Sequence, residues 1–379
     1  MKRTFLLALA LALPLALPAH GAERWTPQKA KAWWAGQKWP VGSNYIPATA
    51  INQLEMWQAD TFDAPRIEQE FTWAQAMGMT TMRVFLHDLL WQQDAPGFKR
   101  RIDQFLGIAA RHGIKPVFVL FDSCWDPHPK LGPQHPPIPG VHNSGWVQGP
   151  GADALADPKQ AARLEGYVKD IVGSFAHDDR ILAWDVWNEP DNFASQYPDD
   201  TKAKIAHVTA LLPKVFDWAR SANPSQPLTS GVWHDPNWND LGHLNAIEKT
   251  QLTQSDIISF HDYNWPERFA ARVKELQVYG RPLLCTEYMA RGNGSTIDTV
   301  LPLGKALDVG MVNWGFVDGK TQTRYPWDSW QKPYVLSQPT IWFHDILHTD
   351  GTPYRAREVA IIKAMSTSPR GTAPVPPLP

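Results

Sequence analysis

The chain has 379 residues, 43% hydrophobic and 20% charged, a globular composition that suits one large domain or two ordinary ones. The formal net charge is −2 with the 13 histidines neutral, which excludes a basic field for nucleic acid or an anionic membrane. The 19 tryptophans exceed what a core of this size needs, and surplus exposed indoles serve as flat platforms for ligands.

The first residues, MKRTFLLALALALPLALPAHG, carry a Lys2-Arg3 head, a leucine/alanine run and a small-residue site with Ala19 and Gly21 at −3 and −1. They read as a secretory signal peptide over 1–21, cleaved after Gly21, which places the remaining chain in the periplasm or outside the cell. The apolar run is short for a membrane span, and no later segment qualifies.

Short apolar runs then alternate with amphipathic ones. WPVGSNYIP (39–47) precedes a helical pattern over 64–78, and TTMRVFL (80–86) precedes one over 97–113 with Gly113 as its stop. IKPVFVLFD (114–122) leads into a Pro- and Gly-rich excursion ending near Pro158, followed by a helix over 158–178 with Asp157 as its N-cap. ILAWDVWNEP (181–190) opens the second half, and helical patterns over 201–222, 241–250, 267–280, 296–310 and 353–366 separate PLTSGVW (227–233), DIISFHDY (256–263), RPLLCTEY (281–288) and MVNWGFVDG (311–319). Residues 367–379 have no packable pattern and are expected to be disordered.

Eight strand–helix units with doubly buried apolar strands predict an α/β fold, a single (β/α)8 barrel over residues 22–366 with long loops after strands three and eight. A doubly wound open sheet alternates in the same way, but the first strand lacks a Gly-rich phosphate turn. A barrel places its chemistry at the strand C-terminal ends, and polar residues collect there. Asn44 and Tyr45 end strand one. Arg83 lies on strand two, which continues into His87, Asp88 and Trp91; strand three runs through Asp122 to Trp125. Asn188-Glu189, Trp233-His234, His261-Asp262-Tyr263, Glu287-Tyr288 and Trp314 with Asp318 end the rest.

Strands four and seven face each other across a barrel mouth, so Glu189 and Glu287 form an opposed pair of carboxylates. Glycoside cleavage asks for such a pair: a protonated acid for the leaving oxygen and a carboxylate on the other face of the ring, ~5 Å apart in the retaining mode. Each carboxylate's charge also favours protonation of the other.

WNEP on strand four, TEY on strand seven, Arg83, HDY on strand six and Trp314 resemble clan A glycoside hydrolases, the cellulase-type family 5 first and family 2 barrels next. The resemblance spans about residues 39–366 and implies secreted retaining hydrolysis of β-glucan, β-mannan, xylan or smaller β-glycosides. It implies Glu189 as acid/base, Glu287 as nucleophile and Asn188 as the partner of the sugar 2-hydroxyl. Arg83 would keep the nucleophile ionised, with Tyr263 in contact with it, His261 near the acid/base and Trp314 under the reacting sugar. His87, Asp88, Trp91, Trp125, Trp233, His234, Asp318 and Trp327 are further candidates for sugar contacts. The loops at 126–157 and 320–340 depart from the plain family pattern.

Each feature has a plainer reading. Glu189 could be a strand-end carboxylate bonded to backbone, Arg83 an ordinary ion-pair partner, and His261 a core histidine. Asp185 shares the strand face of Glu189 and reads as part of a deep polar layer, with Trp184 packed outward. His128, His135 and His142 lack metal-ligand spacing, so their loop reads as a stiff cleft wall. The aromatic loop 324–334, with Trp327, reads as sugar platforms. Cys124 and Cys285 read as small core residues rather than a disulfide. Carbohydrate is the expected partner, with no nucleic acid, metal or organic cofactor. A non-catalytic carbohydrate-binding barrel is the alternative; a metal-dependent amidohydrolase would want H-x-H where strand one has GSNY.

Overall fold

The computed structural model describes residues 23–234 and 237–372; the expected signal peptide and residues 373–379 lie outside them. Eight strands form one parallel sheet: β1 (Val41–Tyr45), β2 (Thr81–Phe85), β3 (Val117–Val119), β4 (Ala183–Asp185), β5 (Leu228–Thr229), β6 (Ile258–His261), β7 (Leu283–Glu287) and β8 (Gly310–Asn313). Their ladder order is β5-β4-β3-β2-β1-β8-β7-β6, and a parallel bridge between Val232 and Phe260 joins the two ends. The ring closes as a (β/α)8 barrel.

The strands are shorter than the apolar runs that foretell them, because each chain leaves its ladder before the run ends. Beyond β4, single bonds still hold the chain extended, from Val186 N to Thr229 O (2.8 Å) and from Asn188 N to Phe121 O (2.8 Å). At Gly42 the sheet is too tight for a side chain: a Cβ there would sit 1.8 Å from the Thr81 carbonyl oxygen.

The helices are α1 (Pro27–Ala35), α2 (Gln53–Trp57), α3 (Ala64–Ala76), α4 (Asp88–Arg111), α5 (Ala152–Ala156), α6 (Ala161–Ser174), α7 (Lys204–Ser221), α8 (Ala246–Gln254), α9 (Pro266–Gln277), α10 (Ile297–Ala306) and α11 (Ala356–Thr367). Local chemistry sets their starts. Asp63 accepts from Arg66 N ahead of α3, and Asn245 and Glu248 form a reciprocal capping box on α8. Asp157 accepts from Lys159 N, capping a single 3-10 turn ahead of α6. The helix expected from residue 97 begins at Asp88, with a kink at non-helical Asp94 (φ −158°).

Trp184 packs against Phe118 (5.7 Å between ring centres) and donates to Gln226, outside the ring as expected. The main core fills the space between strands and helices, while Trp25, Ala30 and Trp34 close the barrel floor against Val117, Leu182, Leu284 and Val312. Part of the expected disordered tail is packed there. Arg370 donates to Trp34 O (2.8 Å) and Gln37 O (3.2 Å), with its guanidinium over the Trp34 ring.

Candidate active site

Inside the barrel, the buried Arg83 uses all five of its N–H groups. It donates to Asp185 Oδ2 (3.0 and 2.8 Å), Asn44 Oδ1 (2.9 Å), Asn188 Oδ1 (2.6 Å) and Glu287 Oε1 (3.1 Å). A buried guanidinium persists only when paired in this way. Asp185 is therefore the deep polar layer, and the Arg83 fork sets the positions of Asn188 and Glu287 above it.

Glu287 ends β7, and Glu189 follows β4 with φ +40°, a left-handed conformation that costs a non-glycine residue about 1–3 kcal/mol. One carboxylate oxygen from each and a ring nitrogen of His261 lie within 4.8 Å of one another. The surroundings of the two carboxyls differ. Glu287 takes Arg83 on Oε1 and the Tyr263 hydroxyl on Oε2 at 2.6 Å. Glu189 meets only uncharged partners: His261 Nδ1 (2.8 Å), Asn192 Nδ2 (2.6 Å) and the Cys124 thiol (3.3 Å).

Burial lifts both carboxyls above the usual range. For Glu189 the hydrogen bonds from Asn192 and Cys124 and the charge of Arg83 offset this in part, while Asp191 adds to it. For Glu287 a protonated His261, the Arg83 charge and the Tyr263 hydroxyl pull downward, against the push from Glu189. Burial draws His261 itself down to about 4, so near neutral pH the imidazole is uncharged and Arg83 is the standing cation. The guanidinium bonded to Glu287 favours its ionised form, a hydrogen-bond partner that Glu189 lacks.

Glu189, His261 and Glu287 are also the set that could ligate a cation among the described residues. The guanidinium already against Glu287 opposes one there, and the lone pairs of Glu189 are engaged. Such a set favours proton transfer.

Above the pair lies a cavity of about 480 Å3, into which Asn188, His261, Tyr263, Trp125, Trp233, Trp314 and Trp327 all face. Five sugar-contact candidates lie elsewhere, and the reason for three of them is shared: β2 runs directly into α4 without a loop. His87 is buried as the N-cap of α4, accepting from Leu89 N and bonded through Nε2 to Gln148 O at 2.9 Å. Asp88 pairs with Arg163 (2.7 Å), and Trp91 donates to Asp170 against Tyr167, outside the barrel. His234 turns from the cavity to Asp191 (3.0 Å) and stacks on Trp233. Asp318 is held by Arg324 inside the loop after β8.

The sequence reading missed other residues. Cys124 is not a core residue but a cavity-lining thiol beyond β3, and neither it nor Cys285 is in a disulfide. Asn192 lies three residues past Glu189, a spacing that could have drawn attention. Asp122 accepts from Asn188 Nδ2 (2.9 Å) and Trp146 Nε1 (2.6 Å), bracing Asn188 from the side opposite Arg83. His142, Asn143 and Trp146 line the cavity from the Pro-rich loop, which is the wall its composition foretold.

No family model and no curated protein matches the chain. Solved structures do match in fold. GH5_18 from Streptomyces cattleya in complex with GlcNAc is 14% identical, covering 88% of this chain and 82% of that one with a TM-score of 0.58. An exo-β-1,4-mannosidase from Opitutaceae bacterium strain TAV5 is 18% identical over 93% and 62%, TM-score 0.57. An endo-β-1,4-mannanase from Thermotoga petrophila is 13% identical over 88% and 77%, TM-score 0.53. At these identities the likeness is one of architecture: the chain shares the barrel of these carbohydrate-active proteins.

Proposed function

We propose that the chain is a retaining β-glycoside hydrolase, exported by a leader over residues 1–21. The observation that carries this reading is the pair of buried carboxyls within 4.8 Å, one against a guanidinium and the other against uncharged donors. Protonated Glu189 gives its proton to the glycosidic oxygen as Glu287 attacks the anomeric carbon and the bond to the leaving sugar breaks. Ionised Glu189 then takes a proton from water, which displaces Glu287 and regenerates both groups. β-Mannosides are the first substrates to try, since the exo-mannosidase and the endo-mannanase share the barrel.

The test is incubation with β-1,4-linked manno-, gluco- and xylo-oligosaccharides, with wild type, Glu189→Gln and Glu287→Gln side by side. Wild type should release the β-anomer first by NMR, and Glu287→Gln should lose on the order of 10⁴-fold or more in turnover. Cleavage by Glu287→Gln at the wild-type rate, or first release of the α-anomer, would sink the assignment. Binding without turnover would identify a carbohydrate-binding barrel.

A further inference from the structure

The walls of the cavity are unequal around the ring. Two long loops, from Leu120 to Gly151 and from Trp314 to Arg355, are bonded to each other. Asn143 N donates to Thr321 O (2.9 Å), and His142 N to Ser329 Oγ (3.0 Å). Gln322 Nε2 donates to Ile138 O (2.7 Å) and Val141 O (3.0 Å), and its Oε1 accepts from Gly140 N (3.2 Å). Trp125 stacks on Trp330 with centroids 5.2 Å apart. The loop after β1 ties into both, through Asn52 Nδ2 to Gly145 O (2.8 Å) and Lys320 N to Ala48 O (3.0 Å). A continuous wall therefore stands from β3 past β2 and β1 to β8. Among the described residues no hydrogen bond joins the loops after β5 and β6 to it, and on that side Trp265 is 55% exposed.

Glu189 on β4 and Glu287 on β7 divide the ring between these two halves. A bond cleaved between them leaves one sugar over Trp314 on the walled side and the departing chain toward Trp233 and the β5–β6 side. A cavity of about 480 Å3 is a small-ligand volume within the usual ~300–1,000 Å3, and the void that adjoins Trp146 and Trp314 on the walled side holds about 20 Å3.

On the glycosidase reading, we infer that the wall makes the cavity blind beyond the sugar attacked by Glu287. The enzyme then removes single sugars from the non-reducing end of a β-linked chain and does not cut within it. Each event adds one water across one C–O bond and leaves a chain one sugar shorter.

The experiment uses the wild-type protein and a short β-linked oligosaccharide, accepted in the substrate panel and labelled at its reducing end. It is presented free or with the 4-hydroxyl of its non-reducing sugar capped as a bulky acetal. The free chain should yield monosaccharide and a labelled product shorter by one, with the capped chain about 100-fold slower because the acetal meets the wall. Internal fragments as first products, or similar rates on both chains, would overturn the blind end while leaving the hydrolase intact. No turnover of any member of the substrate panel would remove the hydrolase reading and this inference with it.

Discussion

Asn192 offers a way to move the acid without touching the nucleophile. Its Nδ2 donates to Glu189 Oε2 at 2.6 Å, and this bond is the largest influence favouring the ionised carboxylate. A hydrogen bond to a charged group contributes ~1.5–3 kcal/mol, and ~1.36 kcal/mol corresponds to one pKa unit. Asn192 is half-buried, so water recovers part of that on removal, and Asn192→Ala should raise the Glu189 pKa by about 1 unit. The acid must be protonated in the free enzyme, so the basic limb of kcat/KM should move up by the same amount. The acid limb, set by ionisation of Glu287 against Arg83, should stay in place. The assay is the pH profile on an unactivated oligosaccharide, whose leaving group needs the proton. A basic limb that stays put or moves downward would refute the role of the bond and weaken Glu189 as the acid.

Arg83→Met strips the counter-charge from buried Asp185 and Glu287 together, and should destabilise the fold by about 3–5 kcal/mol in denaturant titration; a loss under about 1 kcal/mol would show that the interior carboxyls are otherwise satisfied. His142 gives a pH dependence of stability. Burial lowers its pKa from 6.5 to about 4, so below pH 6.5 the unfolded chain binds a proton that the folded chain refuses. Stability should be full above pH 6.5 and fall by up to about 3 kcal/mol as pH drops to about 4. His261, lowered in the same way, adds to the loss. Thermal melts across this window should be less steep in pH for His142→Gln than for wild type, and identical slopes would contradict the assignment.

Most of the barrel was legible because parallel strands buried on both faces leave continuous apolar runs, and helices leave caps in the chain, as at Asp157. The positions of Glu189 and Glu287 followed from the same logic, each ending its run. His87, Asp88 and Trp91 did not, because polar residues after a strand look alike whether a loop turns them inward or a helix starts at once. Whether His87 lines a cavity or caps α4 depends on a bond to Gln148, 61 residues away. Cys124 likewise reads as core from its apolar neighbours, and only the chain bend at Trp125 (φ +69°) marks the turn there. The floor helix α1 was missed because its burial depends on Val117, Leu284 and Val312 from distant strands.

The closure of the ring has a mechanical consequence. β4 and β5 share two register pairs, and β5 meets β6 through the Val232–Phe260 bridge, with a Thr229–Ser259 side-chain contact at 2.7 Å. β1, by contrast, is laddered over four pairs to β2 and three to β8. Ladder bonding is thus uneven around the barrel, and sparsest at the seam beside Trp233. Local opening costs least where the fewest ladder bonds must break, so amide exchange should begin at the seam. The half of the mouth that would let a departing chain out is also the half that can breathe.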